Sequence, residues 1–164
     1  MIVEGRAVVI DGDNVDTDVM YPGQYLNIED PDKMKGHLFE GYDPGLRDKL
    51  GKDTILVTGW NFGIGSSREH VPIAIKAWGV QCVLGKSFAR IFRRNCVNLG
   101  LPALACPEAA EAARTESKIT IDTDSGEVQV DGTGFQAEPV PSFVLEVQSA
   151  GGLVQWARLR TGAA

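Results

Sequence analysis

The segment from Gly59 to Glu69 carries the residues best suited to chemistry in this chain, with the sequence Gly-Trp-Asn-Phe-Gly-Ile-Gly-Ser-Ser-Arg-Glu. Its last two glycines, separated by one residue, can adopt positive φ angles and turn backbone N–H groups into an anion-binding concavity. Ser66 and Glu69 have the spacing of a capping box, and a helix N-terminus also favours anions. Arg68 adds a guanidinium that can bind a planar anion through two hydrogen bonds. The residues alone predict a small-anion site on a strand-to-helix turn, although an ordinary turn with a capped helix explains the same short pattern.

Strands and helices that alternate along the chain are predicted to position this segment. Buried strands are predicted at three apolar segments, namely 54–58, 81–84 and 101–105. Helices are predicted over 71–78 and 87–100, and Ser87 and Gly100 are expected to cap the second of them. Strands that alternate with helices over short links favour an α/β arrangement with parallel pairing.

The remaining predicted elements complete a single domain of residues 1–164. Residues 118–122 and 127–131 alternate polar and apolar side chains around a Thr-Asp-Ser-Gly turn, which predicts a β-hairpin. Together the elements predict an α/β (α+β) fold with three layers, β/β/α. Further strands are predicted at 3–10 and 143–147, and further helices near 31–39, 44–50, 108–116 and 152–158.

Composition limits the partners of the chain. Its 164 residues are enough for a hydrophobic core without disulfides or a structural metal. The net charge of −6 argues against nucleic-acid and anionic-membrane partners, since both require a basic face. Arg90, Arg93 and Arg94 form a local basic cluster, for which a solvated helix face is the default interpretation. No segment has the length of a membrane span or the features of a signal peptide, so we expect neither a membrane partner nor export.

The three cysteines are interpreted as buried thiols. Cys82, Cys96 and Cys106 contain no Cys-x-x-Cys pair, and each lies within an apolar run. This usage predicts a reducing, cytoplasmic location rather than disulfides or a cluster bound by this chain.

The acidic loop from Asp11 to Asp18 raises the possibility of a metal site, because it holds four aspartates and one asparagine. An EF-hand loop requires glycine at its sixth position and glutamate at its twelfth. Counted from Asp11, those positions hold Asp16 and Pro22. We therefore predict a turn-rich loop with at most one functional acid, and no metal bound by this chain.

Several motifs in order along the chain resemble a known family. They are Asp16-Thr-Asp18, Tyr25-Leu26, Asn61-Phe-Gly-x-Gly-Ser-Ser-Arg-Glu-His70, Ser87-Phe-Ala-Arg-Ile-Phe92 and Asn98-Leu-Gly-Leu-Pro102. By these motifs, which cover nearly the whole chain, it is similar to the small subunit of 3-isopropylmalate dehydratase, also called isopropylmalate isomerase. That subunit corresponds to the mobile swivelling domain of aconitase.

The resemblance implies a β/β/α swivelling domain and a hydro-lyase activity. In this family a separate large subunit holds a [4Fe–4S] cluster, and the small subunit closes over it in a heterodimer or heterotetramer. The reaction removes water from a small dicarboxylate, a 2-alkylmalate, and adds it back with the other regiochemistry. By resemblance Ser66 is the catalytic base, while Ser67 and Arg68 bind a substrate carboxylate. Asp18 is expected to orient an arginine or a substrate group, and Asp16 to be structural.

In this family, the segment after Tyr25-Leu26 contacts the side group that distinguishes the substrates. In this chain that segment is Asn27-Ile28. Homoaconitase-like members carry an arginine there for an extra carboxylate. Because no cation is present, we expect Asn27 and Ile28 to favour a small or branched alkyl group. Isopropylmalate is the leading candidate, with 2,3-dimethylmalate and methylmalate as alternatives, and with homoaconitate as an alternative that the missing cation disfavours. A second departure, Ile64 where relatives often carry cysteine, is expected to matter little, since that position is not a cluster ligand.

Two other classes of function compete with the hydro-lyase interpretation. A serine hydrolase could use Ser66 or Ser67 with His70, but the nucleophile elbow Gly-x-Ser-x-Gly is absent. A non-catalytic anion-binding module is compatible with the glycines, but no lysine follows them as in a P-loop.

Overall fold

The fold is built on one seven-stranded sheet with the order β4-β3-β2-β1-β5-β6-β7. The computed structural model describes residues 1–162. The strands are β1 Ile2–Val9, β2 Thr54–Thr58, β3 Cys82–Gly85, β4 Ala103–Ala105, β5 Lys118–Asp122, β6 Glu127–Val130 and β7 Thr133–Gln136. The α-helices are α1 Thr17–Met20, α2 Pro31–Met34, α3 His70–Ala77, α4 Arg90–Leu99, α5 Pro107–Ala112, α6 Ser142–Ser149 and α7 Leu153–Thr161. Short 3₁₀ turns cover Gly23–Tyr25, Lys35–His37 and Pro44–Lys49.

Strand β1 divides the sheet into a parallel and an antiparallel half. It pairs in parallel with β2, which pairs in parallel with β3 and β3 with β4. On its other side β1 pairs antiparallel with β5, and the ladder continues through β6 and β7. All five residues of β2 are buried, as expected for a parallel strand covered on both faces. The carboxyl ends of β1, β2, β3 and β4 therefore meet at one edge.

The two hydrophobic cores explain the three layers. One core joins the parallel strands to helices α3 and α4, through residues such as Leu56, Ile75 and Phe92. The other joins the opposite face of the parallel strands to helix α5 and to the inward side chains of the antiparallel half, such as Ile119 and Val128. Because strands of one continuous ladder share this second core, the sheet curls over itself. This confirms the predicted β/β/α fold class.

The structure corrects several of the predicted elements. Residues 143–147 form no strand but lie within α6, where Pro141 precedes the first helical residue. An apolar run this short is compatible with the residue periodicity of either a strand or a helix, and the preceding prolines indicate the start of a helix. Strand β7 was not predicted, because Thr133–Gln136 is exposed and shows little alternation.

The helix starts also differ from the prediction, whereas one helix end is confirmed. Helix α4 begins at Arg90 rather than near Ser87. The Ser87 hydroxyl instead accepts a 2.8 Å hydrogen bond from the backbone N–H of Asn61. It ends as predicted at Gly100, which has a φ of 73°. Helix α5 is shorter than predicted and stops at Ala112. Within residues 1–162, no helix combines the length and the apolar character needed to cross a membrane.

Candidate functional site

Two loops at the carboxyl edge of the parallel strands form the frame of the site. Residues 11–18 follow β1, and residues 59–69 follow β2. Backbone hydrogen bonds join them: Gly63 N donates to Val15 O at 3.0 Å and Thr17 N to Ile64 O at 2.8 Å. The Thr17 hydroxyl adds a 2.9 Å bond to the Ser66 carbonyl. Ligands of open α/β sheets bind outside this edge, so the predicted anion turn lies where such a site is expected.

Glycine is required at positions 63 and 65 of this frame. Gly63 has a φ of +86° and Gly65 a φ of +101°, both in the region that side chains disfavour. A Cβ atom at Gly65 would lie 2.4 Å from Oδ1 of Asp16, and one at Gly63 would lie 2.4 Å from the Phe92 ring. The positive φ angles expected for the two glycines are therefore present, and close packing adds a second constraint.

A hydroxyl, a carboxylate and a guanidinium meet at the end of this turn. The Ser66 hydroxyl donates a 2.9 Å hydrogen bond to Oδ1 of Asp18. Nε of Arg68 lies 3.2 Å from the same oxygen, an ion-pair distance, but its N–H is not aligned for a hydrogen bond. The Arg68 side chain is 17% exposed and that of Asp18 is 53% exposed. The group therefore combines a held positive charge with an exposed serine hydroxyl.

The backbone of Tyr21 and Gly23 holds the Arg68 guanidinium on the side away from Asp18. Its Nη1 donates a 2.7 Å hydrogen bond to the Tyr21 carbonyl. The guanidinium also lies against Gly23, where an added Cβ would come within 3.4 Å of Nη2. Because backbone on one side and a carboxylate on the other hold it, Arg68 can present its charge without a large loss of side-chain entropy.

The capping box predicted for Ser66 and Glu69 is not formed. Helix α3 begins at His70, its N-cap is Glu69, and no side chain caps it. Residues 66–69 form a separate turn, in which Arg68 N donates to the Ser66 carbonyl at 2.8 Å. Pro72 consequently falls in the first turn of α3, where proline is tolerated.

The backbone around Ser66 offers unused donors. Within the part of the chain that the structure describes, the N–H groups of Gly65, Ser66 and Ser67 donate to no backbone carbonyl outside regular elements and to no side chain. Consecutive unpaired N–H groups beside an arginine are a common arrangement for binding a carboxylate or phosphate.

A third segment, the Gly23–Ile28 loop, is attached to the turn by two stacked aromatic rings. His70 Nε2 lies 2.9 Å from the Leu26 carbonyl, and the Tyr21 hydroxyl donates to the Tyr25 carbonyl at 2.8 Å. The two rings stack with centroids 5.0 Å apart. Burial raises the pKa of the Tyr21 phenol above its ordinary value, so this hydroxyl remains a donor.

The far side of this loop is held by a polar cluster. The Tyr25 ring stacks on His37 at 3.6 Å, and its hydroxyl donates to Glu40 at 3.0 Å. Glu40 also bonds His37 Nδ1 at 2.7 Å, and these hydrogen bonds, that of His37 foremost, hold the pKa of Glu40 below its ordinary value. His37 thus packs against Tyr25 and binds Glu40.

The predicted site residues fall into two groups. Ser66, Arg68 and Asp18 are in direct contact, and Ser67 is exposed beside them. Asn27 is exposed on the Gly23–Ile28 loop, whereas Ile28 is half-buried and packs against the helix-side core. Asp16 caps α1 by accepting a 2.7 Å hydrogen bond from Asp18 N. The roles of Tyr21 and His70 in holding the loop are not predictable from residue type or spacing, because both side chains bond backbone carbonyls.

In this geometry His70 is not placed to act as the base of a serine hydrolase. His70 directs Nε2 to the Leu26 carbonyl, while the Ser66 hydroxyl is bonded to Asp18. A serine nucleophile needs its base within hydrogen-bond reach.

The thiols of this chain do not fit the ligation of an iron–sulfur cluster. Cys96 is buried in the helix-side core, and Cys82 and Cys106 are buried in the other core. Burial raises the pKa of Cys82 to about 12 and also raises that of Cys96, which opposes the thiolate form that iron requires. Among residues 1–162, no three His, Cys, Asp or Glu side chains come together as a metal site.

A polar cavity of about 420 Å³ lies between the ends of β1 and β2 and helix α5, and none of Ser66, Asp18 and Arg68 lines it. Among its lining residues, Lys86 pairs with Glu111, and Asp13 accepts a 2.9 Å hydrogen bond from Trp60 N. We therefore base the functional argument on Ser66, Asp18 and Arg68.

Comparison with known proteins gives consistent similarities. Residues 47–109 match the model of the aconitase C-terminal domain. The small subunit of 3-isopropylmalate dehydratase from Caldanaerobacter subterraneus is 44% identical over 158 residues, covering 95% of this chain and 98% of that protein. Small subunit 1 from Methanopyrus kandleri is 45% identical, covering 94% and 91%. The small subunit of 2,3-dimethylmalate dehydratase from Eubacterium barkeri is 46% identical, covering 88% and 90%.

Solved structures agree with these sequence relatives. The crystal structure of 3-isopropylmalate dehydratase from Methanocaldococcus jannaschii superposes with a TM-score of 0.90 at 37% identity, covering 98% of this chain and 96% of that one. Aconitase X from Thermococcus kodakaraensis has a TM-score of 0.54 at 19% identity, covering 79% and 90%, and supports the fold alone.

Proposed function

Because the chain belongs to the family of 3-isopropylmalate dehydratase small subunits, we propose that it is one subunit of a hydro-lyase that isomerises 2-isopropylmalate to 3-isopropylmalate. Such an enzyme removes a hydroxyl group and a carbon-bound proton as water, and then returns both to the opposite carbons. The observation that carries the proposal is the contact of Ser66 with Asp18 beside the held guanidinium of Arg68. The conversion of 2-isopropylmalate to 3-isopropylmalate belongs to leucine biosynthesis.

Ser66 is the proposed base for the carbon-bound proton. A serine hydroxyl is a weak base, so its own proton needs an acceptor and the resulting negative charge needs stabilisation. The Asp18 carboxylate is the acceptor in contact, at 2.9 Å. Arg68 supplies positive charge 3.2 Å from the same carboxylate oxygen. After the proton is taken from carbon, Ser66 Oγ can return it to the adjacent carbon when water adds back.

Ser67, Arg68 and the unpaired N–H groups of residues 65–67 are the proposed binding groups for a substrate carboxylate. Their donors are consecutive, exposed and close to a fixed positive charge. Asp18 is assigned a second role as the group that orients Arg68.

The proposal requires a second chain. A large subunit would hold the [4Fe–4S] cluster, which supplies a Lewis acid for the substrate hydroxyl. The buried cysteines of this chain support the assignment of the cluster to the partner. The pair forms a heterodimer or a heterotetramer, and the free thiols favour the cytoplasm as its location. Residues 1–164 act as one swivelling domain that closes over the partner.

A second candidate substrate is 2,3-dimethylmalate, because the relative from Eubacterium barkeri is as similar as the isopropylmalate enzymes. Both substrates carry alkyl groups. Homoaconitate is a weaker candidate, since the Gly23–Ile28 loop contains no cation for its additional carboxylate.

The test is turnover by a complex reconstituted with the large subunit from the same genome. We expect activity with 2-isopropylmalate from the complex and none from this chain alone. A Ser66→Ala variant should lose about 10²- to 10⁴-fold in kcat with a modest change in KM, as removal of a general base predicts. Ser125→Ala, which removes a hydroxyl in the β5–β6 turn, is the matched control and should keep full activity.

Two results would contradict the proposal. Turnover without a partner would exclude the two-subunit enzyme, and wild-type kcat in Ser66→Ala would exclude Ser66 as the base. A panel of 2-isopropylmalate, 2,3-dimethylmalate, 2-methylmalate and homoaconitate ranks the substrates in the same assay.

A further inference from the structure

The two halves of the site lie on different segments, and the contacts between them are few and specific. Arg68 and His70 follow Ser66 along the chain, while the Gly23–Ile28 loop carries the exposed side chains of Leu26 and Asn27. In the proposed function, the first segment binds the reacting end of the substrate and the second meets its side group. The distance between the two segments therefore limits which side group fits.

His70 links the two segments directly. Its side chain leaves the first residue of α3 and reaches the Leu26 carbonyl, 2.9 Å from Nε2. Because a carbonyl only accepts hydrogen bonds, Nε2 carries the proton of this bond. Nδ1 is buried and has no hydrogen-bond partner among the described residues, so the bond to Leu26 is the one polar contact that orients the ring.

Tyr21 reinforces this link at the preceding residue. Its ring is fully buried and stacks on His70, and its hydroxyl holds the Tyr25 carbonyl at 2.8 Å. Two successive carbonyls of the loop are thus held by two stacked rings. Since both peptide planes are fixed, the side chains of Leu26 and Asn27 point outward, and Leu26 is 40% exposed.

Arg68 completes the connection from the other side. Arg68 lies two residues before His70, and it donates a 2.7 Å hydrogen bond to the Tyr21 carbonyl. His70 bonds the Leu26 carbonyl, so both side chains of this segment hold the same loop region. Two hydrogen bonds therefore join the segment from Ser66 to His70 to the segment from Tyr21 to Leu26.

We propose that His70 is a positioning residue for substrate selectivity, which sets the distance between Arg68 and the side chains of Leu26 and Asn27. This inference rests on the proposed function. His70 itself touches no reacting atom. It acts by holding the Leu26 carbonyl, and so determines how large an alkyl group the loop accepts.

Three variants test the inference in the reconstituted complex. His70→Leu removes the donor and keeps apolar bulk, and His70→Gln restores an N–H donor at a similar reach. Tyr21→Phe removes only the hydroxyl at the neighbouring carbonyl, and serves if His70→Leu fails to fold. Trp78→Phe is the matched control, because the Trp78 indole also donates to a backbone carbonyl, that of Lys35 at 2.8 Å, at the other end of α3.

The informative quantity is the ratio of kcat/KM for 2-isopropylmalate to that for 2-methylmalate. In His70→Leu we expect kcat/KM for 2-isopropylmalate to fall about tenfold, mostly through KM, as for the loss of one hydrogen bond. The value for the smaller substrate should change less than threefold, so the ratio falls. His70→Gln should recover most of the ratio, and Trp78→Phe should leave it unchanged.

Hydrogen exchange of the backbone amides of residues 23–28 separates this inference from the proposed function. His70→Leu should accelerate exchange there, whichever substrate the complex uses. An inactive wild-type complex would contradict the proposed function, and the exchange measurement would then decide the inference. Unchanged exchange, an unchanged ratio in His70→Leu, or a Gln variant no better than Leu would overturn it.

Discussion

Replacement of Gly65 by alanine should disrupt the site more than the fold. Gly65 has a φ of +101°, and forcing an alanine into this region costs about 1–2 kcal/mol. The added Cβ would lie 2.4 Å from Oδ1 of Asp16, so the Asp16 side chain must move. That same oxygen caps α1 by accepting the hydrogen bond from Asp18 N, and loss of such a cap costs about 1 kcal/mol. The sum is roughly 2–3 kcal/mol of unfolding free energy.

Gly132→Ala provides the matched comparison. Gly132 has a φ of +86°, and among the described residues no atom beyond Gly132 and its two chain neighbours lies within 4 Å of the position of its added Cβ. Its variant therefore carries the backbone strain without the clash, and both variants gain equally from a stiffer unfolded chain. Any excess destabilisation of Gly65→Ala reports the displacement of Asp16.

The assay combines thermal unfolding with turnover of the reconstituted complex. For a chain of this size, 2–3 kcal/mol lowers Tm by about 4–12 °C, and the Gly132 variant should lose less. Because Asp18 follows Asp16 and holds Ser66, we expect kcat of Gly65→Ala to fall about 100-fold, as for a displacement near 1 Å. The Gly132 variant should retain wild-type kcat. Equal Tm and equal kcat in the two variants would refute this reasoning.

Two further predictions concern Asp18 and the buried thiols. Asp18→Asn keeps an acceptor for the Ser66 hydroxyl but removes the negative charge, so kcat should fall about 10- to 100-fold. Because Asp18 is 53% exposed, the substitution should change the free energy of unfolding by less than about 1 kcal/mol. An unchanged kcat would count against the role of the carboxylate. The three cysteines should resist alkylation at pH 8 in the native chain and react after unfolding, as measured by mass spectrometry. Since burial raises the pKa of Cys82 to about 12 in the folded state, its stabilising contribution is complete below the unfolded pKa and is lost as pH rises from about 9 towards 12. Flat stability from pH 8 to 10.5 in denaturant titrations would contradict the burial of Cys82.

The sequence predicts the buried strands and the site motif better than it predicts the ends of helices. Strand β2 and the β5–β6 hairpin follow directly from apolar composition and alternation. Ser66 and Ser87 both have the sequence context of N-caps, yet each is bonded elsewhere, to Asp18 and to the Asn61 amide. At the carboxyl edge of a parallel sheet, neighbouring loops compete for such hydroxyls, and this competition is not visible in local sequence.

The composition of the site was predictable in part. The glycine turn and Arg68 were indicated by residue type and spacing, and their geometry is now explicit. The contact of Asp18 with Ser66 joins residues 48 positions apart and was not predicted, because the resemblance assigned Asp18 only to orienting an arginine or a substrate group. The bond from His70 to the Leu26 carbonyl could not be predicted, because a backbone acceptor places no requirement on residue type at position 26.

The central position of β1 has a consequence for synthesis of the chain. Its parallel partner β2 begins at Thr54, whereas its antiparallel partner β5 begins at Lys118. While the ribosome makes the intervening residues, one edge of β1 remains without its partner strand and exposes unpaired backbone groups. Pairings this distant along the chain also slow folding. We expect the nascent chain to depend on protection of this edge until residues 118–122 emerge, and only then to present a complete sheet to a partner subunit.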